Sequence, residues 1–153
     1  MPERGTGAAL ALLGSADQLY APELIRLEVL AAITRRVRKG ESTIEEARSM
    51  RQDWLRHLHE GAVSLVPESA LLHEATELSM TVRHTLQDCM YLATAQQLGA
   101  ALVTADRPFW KRASPSYKRL TLLAGQSHLN FPIFPGFFRM TSVCHRRQYW
   151  RKL

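Results

Sequence analysis

Apolar residues recur along the chain in two spacings, one typical of helices and one of short buried strands. The helical spacing predicts a short helix over GTGAALALLGSAD and longer ones over ELIRLEVLAAITRRVRKG, EEARSMRQDWLRHL, PESALLHEATELSMTVR and HTLQDCMYLATAQQLG. Pro22 opens the first long helix, a capping box at Thr43-Ile44-Glu45-Glu46 starts the next, and Gly40 and Gly99 end two of them. Between the helices lie QLYAPE, AVSLV, ALVT and RLTLL, which predict extended segments or strands. This alternation indicates an α/β fold with a mainly parallel sheet that is buried on both faces.

The composition of the chain changes after Gly125. Residues 1–125 suit one compact domain. Residues 126–153 hold clustered aromatic residues without a clear period, so we treat them as a C-terminal extension of unknown structure. No apolar run approaches the ~18 residues of a membrane span, and the N-terminus lacks the pattern of a signal peptide. We therefore expect a soluble, cytoplasmic protein with no membrane partner.

The net charge of +6 is divided unevenly along the chain. Residues 1–106 hold 14 acids and 10 Lys or Arg, whereas residues 107–153 hold no acid and 10 Lys or Arg. Such a basic block attracts polyanions, and its interleaved aromatic residues could stack on unpaired bases; they are Phe109, Trp110, Tyr117, Tyr149 and Trp150. The alternative is that residues 126–153 form a solvated basic tail.

The cysteines and histidines do not indicate a zinc site. Cys89 and Cys144 are far apart and lack a C-x-x-C spacing. His57 and His59 lie two residues apart and therefore on different sides of a helix. We expect two reduced thiols.

Three acids lie at positions where a carboxylate could have a functional role, although each also has a simpler structural interpretation. Glu28 has apolar or small helical neighbours on either side, so its charge is costly there unless its head reaches water at the rim. Asp88 follows Thr85 by three residues, as expected in the first turn of a helix that Thr85 caps. Asp106 follows the strand ALVT and precedes Arg107-Pro108, so it is a candidate N-cap, yet ligand sites of α/β sheets lie beyond such strand ends.

Together these three acids could surround one hard cation. Oxygen ligands suit Mg²⁺ or Mn²⁺, and ions of this kind activate water for attack on a phosphodiester. Three acids and a basic flank are typical of nucleases, although acids at such separations occur in many proteins.

Two blocks of the sequence resemble the PIN-domain family, in particular the VapC-type ribonuclease toxins of bacterial toxin–antitoxin pairs. The first is APELIRLEVLAAITRRVRKGESTIEEA and the second is HTLQDCMYLATAQQLGAALVTADRPF, whose LVTADRPF is the most specific part. The resemblance covers about residues 7–124.

The resemblance implies a small three-layer α/β/α nuclease whose acids bind one or two Mg²⁺ or Mn²⁺ ions and which hydrolyses RNA. By matching position, Glu28, Asp88 and Asp106 are its metal-binding and catalytic acids, and Thr104 supports them. We expect the neighbouring basic residues Arg107, Lys111 and Arg112 to contact RNA phosphates. The resemblance also implies an antitoxin protein partner and a homodimer.

The sequence departs from the family at its start, where members open with an apolar strand that ends in an aspartate. Here that first strand is apparently absent, which would weaken metal binding and leave neighbouring strands unpaired. The start of the chain as given could be too late, the chain could be an inactive copy, or the C-terminal extension could supply the strand. For the last of these we consider LNFPIF, although Pro132 argues against a central place.

The leading hypothesis is a metal-dependent endoribonuclease toxin. The alternative is a catalytically inactive PIN-like module that binds RNA or an antitoxin, and a third hypothesis is an all-helical interaction protein. The last does not account for the strand-like run ALVTAD.

Overall fold

The computed structural model of the protein describes residues 18–122 and 142–146. Five α-helices lie in these ranges: α1 Ile25–Arg38, α2 Ile44–His59, α3 Leu72–Val82, α4 Leu86–Leu98 and α5 Arg107–Ala113. A 3₁₀ turn at Glu68–Ala70 precedes α3. The five strands are β1 Gln18–Pro22, β2 Val63–Val66, β3 Ala101–Thr104, β4 Leu120–Leu122 and β5 Ser142–Arg146. The helix predicted over GTGAALALLGSAD lies outside the described residues.

The strands form one sheet in the order β2-β1-β5-β3-β4. β1 is parallel to β2, β3 is parallel to β4, and β5 is antiparallel to both of its neighbours. Four of these five strands therefore run in the same direction, which confirms the predicted α/β fold with a mainly parallel sheet.

The centre of this sheet is formed by a strand from the predicted C-terminal extension. In β5, Cys144 pairs with Tyr20 of β1 on one side and with Leu102 of β3 on the other. The segment that we considered for this place, LNFPIF, lies outside the described residues. Unlike LNFPIF, β5 has no proline, so each of its residues keeps the backbone N–H that a central strand needs.

The start of α1 differs from the prediction. Pro22 was expected to open this helix, but it is the last residue of β1 and pairs with Val66 of β2. The backbone N–H of Glu23 also bonds to the carbonyl of Val66, at 3.0 Å. This extra rung of the ladder keeps the chain extended, and the helix begins at Ile25.

The core lies on both faces of the sheet. Leu102, Val103 and Thr104 are consecutive in β3 and all buried, although alternate residues of a strand point to opposite faces. In α4, every residue from Cys89 to Ala95 is buried, and this helix packs across β1, β5 and β3. A helix that is buried all round is typical of the interior of a layered α/β domain. No helix in the described ranges is both long and apolar enough to cross a lipid bilayer.

Candidate metal centre

The elements that carry the predicted acids begin or end at one edge of the sheet. β1 and β3 are each antiparallel to β5, so their carboxyl ends lie at the same edge. α1 follows β1 there, and α5 follows β3. α4 runs back to β3 through Gly99 and Ala100, so its N-terminus lies near the end of β3. Ligand sites of α/β proteins are found at such an edge.

Asp106 uses its two carboxylate oxygens differently. Oδ1 accepts the backbone N–H of Phe109 at 2.8 Å and so caps α5. Oδ2 lies 3.9 Å from Nε2 of His84. The sequence presented cap and ligand as alternatives, whereas the geometry allows one carboxylate to serve both.

Asp88 lies in the first turn of α4, where Thr85 is the N-cap, as predicted. The Thr85 hydroxyl donates to Oδ2 of Asp88 at 2.6 Å. Nε2 of His84 lies 2.9 Å from the same oxygen. The cap that explains Asp88 as a structural residue therefore also fixes its carboxylate toward the imidazole.

His84 belongs to the cluster, although no sequence pattern indicated it. One ligand atom each from His84, Asp88 and Asp106 lie within 4.8 Å of one another. Their side chains are 12%, 15% and 26% exposed, so the group is shielded but open to an ion. His84 precedes Asp88 by four residues, a spacing that could have indicated a shared site. Because His84 lies just outside α4, however, the helical periodicity of the sequence does not predict where its side chain points.

Glu28 lies close to this cluster without belonging to it. Its Oε2 accepts a 2.6 Å hydrogen bond from the hydroxyl of Tyr91, a buried residue of α4. Burial raises the pKa of Glu28, the Tyr91 hydrogen bond lowers it in part, and the negative charge of Asp88 raises it further. The predicted partner for this carboxylate was a cation or water at the rim, and the observed partner is a phenol.

Thr104 supports the turn that carries Asp106. It is fully buried at the end of β3, and its Oγ1 accepts the backbone N–H of Asp106 at 3.1 Å. This bond fixes the backbone of Asp106 just before α5 begins.

The predicted RNA-binding residues lie on α5, next to the cluster. Arg107 and Lys111 are exposed and four residues apart, so they share one face of the helix. Arg112 is also exposed, and its guanidinium donates to the backbone carbonyl of Arg83. Arg83 is the left-handed residue that ends α3 immediately before His84.

A family model described as the PIN domain matches residues 2–114 of the chain. The chain belongs to the PIN domain family. The match includes Glu28, Asp88 and Asp106 and ends before β5, so the central strand of this PIN domain comes from outside the matched region. No curated protein matches the chain in a sequence comparison.

Family membership indicates nuclease activity in general, with a nucleic acid as substrate. PIN domains typically use divalent metal ions, and the donor atoms of His84, Asp88 and Asp106 fit that requirement, since all three types ligate such ions.

Proposed function

We propose that this PIN domain is a metal-dependent endoribonuclease that hydrolyses RNA phosphodiester bonds, and that it is the toxin of a type II toxin–antitoxin pair. The observation that carries the nuclease proposal is the convergence of Asp88 and Asp106 at the edge of the sheet, with Glu28 close enough to respond to the charge of Asp88.

The proposed ligands of Mg²⁺ or Mn²⁺ are Glu28, Asp88 and Asp106. An ion of this kind lowers the pKa of water and neutralises charge on a phosphate. Asp106 is held by its own cap and by Thr104, and Asp88 is held by Thr85. Carboxylates fixed in this way need little reorganisation when an ion binds.

The proposed RNA contacts are Arg107, Lys111 and Arg112. Arg107 and Lys111 present their charges on one exposed face of α5, which starts at Asp106. Arg112 has five N–H donors, so bonding to the Arg83 carbonyl leaves others for a phosphate. Neutralisation of phosphates by such residues would make RNA binding weaken as salt increases.

The toxin role, the antitoxin partner and a homodimer are supported by the resemblance of HTLQDCMYLATAQQLGAALVTADRPF to the VapC-type toxins. Growth arrest on expression, relieved by Asp106→Asn, is the expected result for a toxin. Light scattering of the purified chain tests the homodimer. Normal growth with active protein in the cell would reject the toxin role and leave the nuclease proposal standing.

The decisive test of the nuclease is cleavage of a generic RNA with Mg²⁺ or Mn²⁺, compared with EDTA. We expect Asp88→Asn and Asp106→Asn to abolish cleavage and the exposed Glu74→Gln of α3 to leave it unchanged. Full cleavage by the two asparagine variants, or in EDTA, would reject the proposal.

A second candidate is an inactive PIN-like module that binds RNA or an antitoxin. It is favoured by the sequence of β5, Ser142–Arg146, which brings no carboxylate to the centre of the sheet. RNA binding without cleavage in either metal would support it.

A further inference from the structure

The family resemblance did not identify His84 as a site residue. Its Nε2 lies 2.9 Å from Oδ2 of Asp88 and 3.9 Å from Oδ2 of Asp106. Adjacent ligands of an octahedral ion with bonds of ~2.1 Å lie ~3 Å apart, and opposite ones lie ~4.2 Å apart. The two separations from Nε2 therefore fall within the range of ligands around one ion, and one ligand atom from each of the three residues lies within 4.8 Å of the others.

The backbone at His84 is fixed from two sides. Ser79 of α3 donates its hydroxyl to the carbonyl of His84 at 2.6 Å and accepts the His84 N–H through its own carbonyl at 3.3 Å. Arg112 of α5 bonds to the carbonyl of the preceding residue, Arg83. Three helices, α3, α4 and α5, thus meet at this short linker.

The imidazole ring is also held in place. It packs against Phe109 with ring centroids 5.0 Å apart and planes tilted by 31°. Phe109 is fully buried and is the residue whose N–H is capped by Asp106. The cap of α5 therefore sets the position of the ring and of the Asp106 carboxylate together, an arrangement that suits a preorganised ligand.

We propose that His84 is a metal ligand, with Asp88 and Asp106, and that the centre accordingly binds Mn²⁺ or Co²⁺ more tightly than Mg²⁺. This inference rests on the proposed metal-dependent function and assigns the metal preference of the same site. Mg²⁺ prefers oxygen ligands and keeps its waters, whereas an imidazole nitrogen gains more from first-row transition ions. Glu28, whose Oε2 accepts the Tyr91 hydroxyl, lies outside this group of three ligand atoms.

The direct test is pulsed electron paramagnetic resonance of the full chain loaded with Mn²⁺, which detects a coordinated nitrogen through its hyperfine coupling. We expect this coupling in the wild type and in the control His73→Gln, an exposed histidine of α3. His84→Gln supplies an amide oxygen instead and should lose the coupling.

Titration calorimetry tests the expected preference for Mn²⁺ and Co²⁺ over Mg²⁺. His84→Gln should weaken Mn²⁺ and Co²⁺ binding by ~10-fold or more and change Mg²⁺ binding by less than ~3-fold. Equal losses for all three ions would assign His84 to positioning Asp88 and overturn the proposal.

Labelling with ¹⁵N-histidine gives a test that needs no variant and so does not depend on its folding. The label should change the nitrogen coupling of the wild type, and Mn²⁺ bound without such coupling would overturn the ligand role. That result would leave the nuclease proposal intact. Conversely, histidine coupling in a chain that cleaves no RNA would support the ligand role and reject the nuclease.

Discussion

The hydroxyl of Tyr91 in α4 donates a 2.6 Å hydrogen bond to Oε2 of Glu28 in α1, joining residues 63 positions apart. This contact links the helix that carries Asp88 to the helix that carries Glu28. It also gives a half-buried carboxylate a neutral partner, which does not offset the full cost of burying its charge. Burial therefore raises the pKa of Glu28 despite the hydrogen bond.

The raised pKa of Glu28 predicts a stability change with pH. At low pH the carboxyl is protonated in the folded and unfolded chains alike. As the pH rises, the unfolded chain releases its proton first, so Glu28 lowers the free energy of unfolding until its own raised pKa is passed. Glu28→Gln cannot ionise, so it removes this pH-dependent loss of stability. Urea unfolding at pH 4 and pH 8 should show the variant gaining stability relative to the wild type as the pH increases. A pH-independent difference, equal to that of Glu74→Gln, would contradict this.

Asp106 caps α5 through Oδ1 and faces His84 through Oδ2, so substitutions should separate its structural role from its proposed role as a metal ligand. Asparagine is as good an N-cap as aspartate, so Asp106→Asn should change the free energy of unfolding by less than ~0.5 kcal/mol. Asp106→Ala loses the bond to the Phe109 N–H and should cost ~1 kcal/mol. Both variants should lose RNA cleavage and bind metal more weakly. If Asp106→Asn retained cleavage, the carboxylate would serve as a cap alone.

Thr104 offers a test of how the Asp106 turn is supported. Thr104→Val keeps the shape of this fully buried side chain but leaves the Asp106 N–H without its acceptor. An unsatisfied group of this kind costs ~1–3 kcal/mol. Thr104→Ser keeps the hydroxyl, so it should retain more metal affinity than the valine variant even though it removes a methyl group. Equal metal affinity in the two variants would show that the hydroxyl is not needed to position Asp106.

Much of the fold could be predicted because the signals were local. The capping box at Thr43 is present with both of its hydrogen bonds, and Gly99 ends α4 with φ of +58°. Such signals depend on residues within one or two turns of each other. The start of α1 was misplaced because a tertiary contact, the Glu23 bond to Val66, kept Pro22 in the strand.

The candidate site was predicted less completely because tertiary contacts, and not local sequence signals, bring its residues together. Asp88 and Asp106 meet because α4 and β3 are antiparallel neighbours, and the resemblance located both. His84 lies between helices, in a linker fixed by Ser79 and Arg112 from other elements. β5 likewise depends on pairing with two strands distant in sequence, and a five-residue segment has no pattern that specifies such partners.

The burial of Cys89 in α4 and of Cys144 in β5 predicts that both cysteines are unreactive in the folded chain. Cys144 is fully buried between β1 and β3, and its thiol donates to the carbonyl of Tyr91 at 3.3 Å. Burial raises the pKa of Cys144 and raises that of Cys89 to about 11, so neither forms much thiolate at pH 8. A thiol reagent should modify neither in native protein and both in urea. Ser69→Cys, at an exposed position, serves as the reactive control.

A proline in β5 tests whether this strand holds the sheet together. Val143 pairs with Val103 of β3, and Val143→Pro removes a backbone donor from the middle of the ladder. Loss of a central strand would separate β1 from β3 and expose Cys89 and Cys144. It should also weaken metal binding, because α4, which carries Asp88, packs across β1, β5 and β3 and would lose its support beside Asp106. We therefore expect rapid modification of both thiols in Val143→Pro and protection in Val143→Ala. Protected thiols and unchanged metal affinity in the proline variant would mean that β5 is dispensable for the sheet.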